Sequence, residues 1–150
     1  GQAWLDREWG SQFLQADQAG WDWFSLHLES GEKLVLFQLR GQPADDPRDN
    51  FRYGRLISPD GGVVTLDPEQ IGLNVVSETI VNGHRLPLRW EVDLPQISRR
   101  LELEALHPEQ WMDVDFAYWE GVITINGSGP TSRGEGYMEL TGYPLADPGS

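Results

Sequence analysis

Hydrophobic and polar residues alternate with a period of two along most of this chain, and no stretch sustains the 3.6-residue period of an amphipathic helix. The clearest case is Leu88–Leu94, in which every second residue is apolar and the residues between are charged. Turn signals such as Asn82-Gly83 and Pro59-Asp60-Gly61-Gly62 separate the alternating segments. The candidate strands are Trp4–Trp9, Trp21–Leu28, Lys33–Arg40, Phe51–Ile57, Val63–Leu66, Leu73–Val81, Leu88–Leu94, Arg100–Leu106, Phe116–Glu120, Val122–Asn126 and Tyr137–Tyr143.

Short strands at hairpin spacing predict an all-β fold. We expect an antiparallel β-barrel of about eight to ten strands, closed or nearly closed, because closure removes exposed sheet edges. A barrel of that size has an interior able to hold one small ligand. A two-sheet sandwich is the alternative, and a helix of at most a turn or two fits between Pro108 and Asp113. The chain shows no repeat and no low-complexity linker, so residues 1–150 are predicted to form one domain.

Composition narrows the function. The chain of 150 residues has a formal net charge of −13 and no basic stripe, which argues against a nucleic-acid partner and against attraction to an anionic membrane. It has no cysteine, no apolar run long enough to span a bilayer and no glycine-rich loop ahead of a helix. The three histidines lack the spacing of a metal site. We therefore expect no metal and no cofactor.

The first cluster of candidate functional residues is Trp4–Gly10. As a strand it places Trp4, Asp6 and Glu8 on one face. Two carboxylates beside an aromatic ring would raise one pKa and keep a proton available for general acid catalysis. The alternative is a structural ion pair with Arg7.

The second cluster is Gly20-Trp21-Asp22-Trp23-Phe24. Trp21 and Trp23 share one face of the predicted strand, and Asp22 shares the other with Phe24. Asp22 is then either a pocket or strand-end group among aromatic rings, or a solvated residue beside an aromatic core.

Two further clusters lie near the end of the chain. In each, polar and aromatic side chains share one face, which suits either a ligand-lining surface or an ordinary outward face. Trp119 points away from the first of these faces. The residues on the two faces are Tyr118, Glu120, Tyr137, Glu139, Thr141 and Tyr143.

The four clusters in this order resemble the family of AttH-type proteins and carotenoid 1,2-hydratases (CrtC-like). The resemblance spans nearly the whole chain. It implies a parent with two consecutive lipocalin-like β-barrels, of which this chain resembles the second, C-terminal one. It is carried by Ala3-Trp4-Leu5-Asp6-Arg7-Glu8-Trp9-Gly10, Gly20-Trp21-Asp22-Trp23-Phe24, Tyr118-Trp119-Glu120-Gly121 and Gly136-Tyr137-Met138-Glu139-Leu140-Thr141-Gly142-Tyr143-Pro144.

The resemblance also implies chemistry. Hydratase members add water across a terminal isoprenoid double bond without a cofactor, and fungal relatives steer cyclisation of polyenes. Asp6 matches their proposed proton donor, and Glu8, Glu120 or Glu139 would orient the attacking water. This chain departs from the hydratases in the Arg7-Glu8-Trp9 that follows Asp6. Many AttH-type members are exported or lipid-anchored, so we expect an exported (periplasmic or cell-envelope) bacterial location, with a cytoplasmic one as the alternative.

Three functions follow from these patterns. The first is a lipocalin-like domain that binds a small apolar, isoprenoid- or lipid-like molecule. The second is a cofactor-independent hydratase, isomerase or cyclase with Asp6 as general acid, and the third is a structural domain that packs against a preceding barrel of the same parent chain. The candidate catalytic residues are Asp6 and Glu8. The candidate ligand-binding residues are Trp4, Trp21, Asp22, Trp23, Tyr118, Glu120, Tyr137 and Glu139.

Overall fold

The structure is a computed structural model that describes residue 5, residues 14–41 and residues 50–146. The predicted strand Trp4–Trp9, apart from Leu5, and most of the predicted loop Gly41–Asn50 lie outside the described residues.

Ten antiparallel strands form nearly all of the regular secondary structure of the described chain. Two 3₁₀ turns, Pro68–Gln70 and Pro95–Ile97, are its only helical elements within the described residues. The strands are β1 (Gln18–Leu28), β2 (Lys33–Gly41), β3 (Phe51–Ile57), β4 (Val63–Thr65), β5 (Gly72–Val81), β6 (His84–Leu94), β7 (Arg99–Ala105), β8 (Trp111–Met112), β9 (Tyr118–Asn126) and β10 (Gly134–Thr141).

The strands form one sheet in the order β4-β3-β2-β1-β10-β9-β7-β6-β5, with β8 paired to β9. The sheet curls around a single core, so that Phe24 of β1 packs edge-on against Trp90 of β6 at a ring-centroid distance of 5.5 Å. In the described part of the chain, β4 and β5 end the pairing order and no ladder joins them. The predicted all-β barrel is therefore confirmed as an incompletely closed, antiparallel lipocalin-like barrel.

The core consists of the inward-facing residues of the alternation, and these side chains fill the interior that was expected to hold a ligand. On β6, Leu88, Trp90, Val92 and Leu94 are at most 4% exposed, as their period-two spacing predicts. The buried indole of Trp90 still needs a hydrogen-bond acceptor, and it donates to the Pro87 carbonyl at 2.6 Å. The other large side chains that fill the interior are Trp119, Phe24, Leu26, Leu34, Leu36, Ile71, Leu86, Leu101, Leu103 and Ile123.

Two local predictions were wrong. Gly121 does not separate two strands but lies inside β9, where a Cβ would come 3.0 Å from the Trp119 ring, so glycine allows this side chain to lie along its own strand. The helix between Pro108 and Asp113 is absent from this described segment. Trp111 pairs with Trp119 instead, and the Pro108 carbonyl accepts the Trp119 indole proton at 2.7 Å.

The outer surface of the barrel differs sharply between its two sides. Over β6 and β7 it is charged, and Arg89 and Glu102 form a cross-strand ion pair at 3.4 Å. Over β2 and β3 it is mostly apolar and partly exposed, with Phe37 directly opposite Tyr53 and Leu39 opposite Phe51. The exposed Arg55 interrupts this surface, and its guanidinium carbon lies 5.4 Å from the centre of the Tyr53 ring. We call this second surface the apolar wall; its residues are Val35, Phe37, Leu39, Phe51 and Tyr53.

Candidate functional site

Six of the predicted ligand-binding residues meet on the outer surface of β1, β10 and β9, next to the apolar wall. Strand register brings them together: Trp23 lies opposite Glu139, and Glu139 lies opposite Glu120. Their neighbours Phe24, Trp119 and Leu140 point into the core. We call this surface the aromatic–acidic face. It consists of Trp21, Trp23, Tyr118, Glu120, Tyr137 and Glu139.

Trp21 orients one of the two carboxylates of the face. Its indole Nε1 donates a hydrogen bond to Glu139 Oε1 at 2.6 Å. Its ring stacks on Phe116 with centroids 5.3 Å apart, and only 9% of the side chain surface is exposed. Trp21 therefore acts as a support for Glu139, while half-buried Trp23 presents more of its own surface.

Tyr137 engages the second carboxylate. Glutamates directly opposite each other on paired strands repel, so Glu120 and Glu139 together destabilise the sheet unless donors compensate. The Tyr137 phenol donates a hydrogen bond to Glu120. Burial, and next the charge of Glu120, raise the pKa of Tyr137, and burial followed by Glu120 and Glu139 raises that of Tyr118. The face thus combines aromatic surface with two oriented hydrogen-bond acceptors.

Asp22, the seventh described candidate, lies on the opposite surface of β1, inside the barrel. It is 0% exposed, so the interpretation as a solvated residue is wrong. Its Oδ2 is 3.3 Å from Arg40 Nε and accepts a hydrogen bond from Gln38 Nε2 at 3.0 Å. Its Oδ1 accepts from the Tyr143 hydroxyl at 2.7 Å. The structure does not bring Asp22 together with Trp21 and Trp23 on one face.

The surroundings of Asp22 favour a structural ion. Burial raises the pKa of Asp22, and Arg40, Tyr143 and Gln38 all oppose that rise. Burial and the Asp22 charge also hold the pKa of Tyr143 well above its ordinary value, so this phenol keeps the proton that it donates. Every partner is a donor, which suits an ionised acceptor better than a general acid.

Tyr143 reaches the interior because the alternation of β10 breaks at Gly142. Gly142 has φ +68°, a left-handed conformation that favours glycine, and a Cβ there would overlap the backbone of Ala19. The predicted common face of Tyr137, Glu139, Thr141 and Tyr143 therefore ends at Thr141. The Gly142-Tyr143 pair was the only signal available in the sequence, and period-two reasoning passed over it.

The remaining predicted residues, Trp4, Asp6 and Glu8, lie outside the described residues. Their roles stay predictions.

Sequence reasoning also missed a groove. An open groove of about 480 Å³ runs along the other end of β1, β9 and β10, beside the Glu29–Arg133 ion pair of 3.4 Å. His27, Thr124 and Glu135, which share one row of the outer surface, line part of it. Across the described ranges, no group of three or more His, Cys, Asp or Glu side chains is arranged to hold a metal ion. Nor does any helix in this part of the chain have the length and apolarity of a membrane span.

Comparison with known proteins agrees with this architecture. The sequence model of the AttH-like family matches residues 1–143. A solved structure from Nitrosomonas europaea, assigned as AttH, superposes with a TM-score of 0.76 at 28% identity, over 91% of this chain and 42% of its own. Kievitone hydratase from Nectria haematococca superposes with a TM-score of 0.63 at 17% identity, over 85% of this chain and 40% of its own. The second likeness shows the fold alone.

This chain thus spans about two fifths of the length of both solved structures. No curated protein sequence matches it.

Proposed function

The chain belongs to the AttH-like family, and from that premise we propose that it is a lipocalin-like domain that binds a small, mostly apolar molecule at the aromatic–acidic face. The observation that carries the proposal is the convergence of six candidate residues from three strands on one surface. Such a ligand is isoprenoid- or lipid-like, and it carries a hydroxyl group that donates a hydrogen bond to Glu120.

The chemistry of the face supports that ligand class. Trp23 and Tyr118 offer partly buried aromatic surface, which stabilises apolar or conjugated molecules. A ligand without any hydrogen-bond donor would displace water from Glu120 and leave Tyr137 as the donor to this carboxylate. Desolvation of a carboxylate with so few donors is costly. A single hydroxyl on the ligand removes that penalty.

The test compares a polyene alcohol with the matching polyene hydrocarbon by fluorescence quenching. We expect the alcohol to bind more tightly, and Glu120→Gln to weaken its binding about tenfold with little effect on the hydrocarbon, as for a lost hydrogen bond to a charged group. Trp23→Ala should weaken both. Glu102→Gln, on the charged side of the barrel, is the matched control. Equal affinities of the wild type and Glu120→Gln for the alcohol would refute the assignment of the face.

The hydratase alternative rests on Asp6 and adds one arm to this experiment. Among the described carboxylates only Asp22 is buried, and Arg40 holds it as an acceptor. In this alternative the acid is Asp6, the residue that the resemblance to the hydratases matches to their proposed proton donor. If the wild type hydrates a bound polyene, and Asp6→Asn binds the polyene without forming the hydrated product, the chain is an enzyme. If both proteins bind the polyene and neither hydrates it, the chain is a binding domain.

A second function, docking of a partner β-barrel, is favoured by the apolar wall. Phe51 is 57% exposed, and Phe37, Leu39 and Tyr53 are partly exposed on a surface that a solvated barrel normally keeps polar. The solved AttH structure contains more chain than the part that matches here. We propose that another β-barrel covers this wall.

The docking test uses the chain alone and within the longest reading frame that encodes it. Phe37→Asp should leave the thermal unfolding of the chain alone nearly unchanged, because the residue is on the surface. In the longer protein it should separate one cooperative transition into two. Val75→Asp, on exposed β5, is the control. A single unchanged transition in the Phe37→Asp variant would overturn the docking proposal and leave the ligand proposal intact.

A further inference from the structure

We propose that Arg40 is a positioning residue: from inside the barrel it fixes the Trp21–Glu139 pair of the aromatic–acidic face. The effect of Arg40 on ligand binding rests on the proposed function. Its structural part, the coupling of an interior charge to an outer carboxylate, stands on contacts of its own.

The interior end of this connection is rigid. Arg40 is 8% exposed, its Nε lies 3.3 Å from Asp22 Oδ2, and its guanidinium carbon lies 4.0 Å from the centre of the Tyr143 ring. Asp22 is in turn held by Gln38 at 3.0 Å. A planar guanidinium restrained on one edge by a carboxylate and on one side by an aromatic ring has little freedom to move.

The connection then crosses the sheet at the end of β10. Arg40 Nη2 donates to the main-chain carbonyl of Thr141. Gly20, on β1, makes room for this approach: a Cβ there would lie 2.6 Å from Arg40 Nη2 and would overlap the Thr141 carbonyl. The only residue type without a Cβ therefore stands where the guanidinium passes.

Thr141 carries the connection to the outer surface. Its side chain is 1% exposed, and its Oγ1 accepts the main-chain N–H of Trp21 at 2.8 Å. The Trp21 indole donates to Glu139 at 2.6 Å. Three hydrogen bonds thus join the buried ion pair to a carboxylate of the proposed ligand face.

A purely structural ion pair exists at the opposite end of β2 and serves as the control. Arg99 Nη2 lies 2.8 Å from Glu32 Oε1, with the two side chains 11% and 15% exposed. None of its hydrogen bonds in the described chain leads to Trp21 or Glu139. Loss of this pair should lower stability without changing the face.

The experiment compares Arg40→Lys with Arg99→Lys in the otherwise intact chain. Lysine keeps the charge but cannot hold Asp22 and the Thr141 carbonyl with one rigid, forked group. The first readout is the indole N–H resonance of Trp21 in ¹H–¹⁵N spectra, assigned by its loss in Trp21→Phe. We expect Arg40→Lys to shift it upfield as the hydrogen bond to Glu139 lengthens, and Arg99→Lys to leave it in place.

The second readout is affinity for the polyene alcohol, which should fall about five- to tenfold in Arg40→Lys and stay within twofold in Arg99→Lys. If Arg40→Lys does not fold, Asp22→Asn, which releases the same guanidinium, replaces it. An unmoved Trp21 resonance in a folded variant overturns the positioning role. A shifted resonance with no wild-type binding of any polyene overturns the proposed ligand and keeps the structural coupling.

Discussion

The Nε atom of Arg40 lies 3.3 Å from the Oδ2 atom of Asp22 in the interior of the barrel, where the two side chains are 9% and 0% exposed. Removing one member of a buried ion pair leaves the other charge buried without its counter-charge. We therefore expect Arg40→Met to lower the free energy of unfolding by about 3–5 kcal/mol, measured by urea denaturation.

A double variant provides the control for that first prediction. Asp22→Leu combined with Arg40→Met removes both charges, and it should recover a large part of the loss, since an apolar pair of similar volume is well tolerated in a core. A double variant no more stable than Arg40→Met alone would show that the hydrogen bonds of Gln38 and Tyr143 matter more than the charge.

The second prediction concerns pH. Hydrogen bonds from Arg99 lower the pKa of Glu32 below its ordinary value of 4.5. A carboxylate with a lowered folded-state pKa contributes stability above its unfolded pKa and loses it as the pH falls through the folded one. The stability difference between the wild type and Glu32→Gln should be full at pH 7 and shrink below about pH 4.5.

Thermal unfolding between acid and neutral pH measures this difference. Glu102→Gln, at an exposed ion pair, should show a smaller difference throughout. A Glu32→Gln difference that does not change with pH would contradict the assigned cause.

The third prediction concerns Gly20. Its φ of +155° is unfavourable for other residues, and an added Cβ would meet Thr141 and Arg40. We expect Gly20→Ala to cost about 2–4 kcal/mol of unfolding free energy. Gly61 also has a positive φ, of +89°, but no atom within 4 Å of an added Cβ. Gly61→Ala should lower the unfolding free energy only by the backbone strain, about 1 kcal/mol. Equal losses of unfolding free energy in the two variants would show that crowding at Gly20 does not contribute.

The fourth prediction concerns the phenol of Tyr137. Glu120 raises the pKa of Tyr137 by its charge and by accepting the phenol proton, after burial as the first cause. Glu120→Gln should therefore lower the pKa of Tyr137 in an NMR titration of the ring resonances. Glu135→Gln, on the same strand and outside this contact, should leave the titration unchanged. A titration insensitive to Glu120→Gln would show that Glu120 does not contribute, and that burial with the charges of Tyr118 and Glu139 sets the shift.

The strands were largely predictable because alternation and burial agree in them. On β6 the residues Leu88, Trp90 and Val92 are apolar, their neighbours are charged, and the structure buries the apolar set. On β1 the same reasoning fixes which residues share a face but not which face is inside. Trp21 and Trp23 on one face compete for the interior with the apolar residues on the other, which are Phe24, Leu26 and Leu28. Asp22 shares the face of these three residues, and a carboxylate is costly to bury alone.

What decided the orientation of β1 was contributed by distant residues. Asp22 is buried because Arg40 and Gln38 of the next strand and Tyr143, 121 residues later, supply its donors. No local pattern reports such partners. The grouping of Glu120 and Glu139 likewise depends on the register of β9 and β10, which the sequence left open.

The pairing of β1 with β10 has a consequence for how the chain folds. Trp21 and Glu139, which meet across this pairing, are 118 residues apart in sequence, whereas β5 and β6 are joined by a tight turn at Asn82-Gly83. Closing a long loop costs more chain entropy than closing a hairpin, so the β1–β10 ladder is expected to form late. The aromatic–acidic face is then the last surface to be assembled, and a folding intermediate that already contains β5 and β6 would not yet have it.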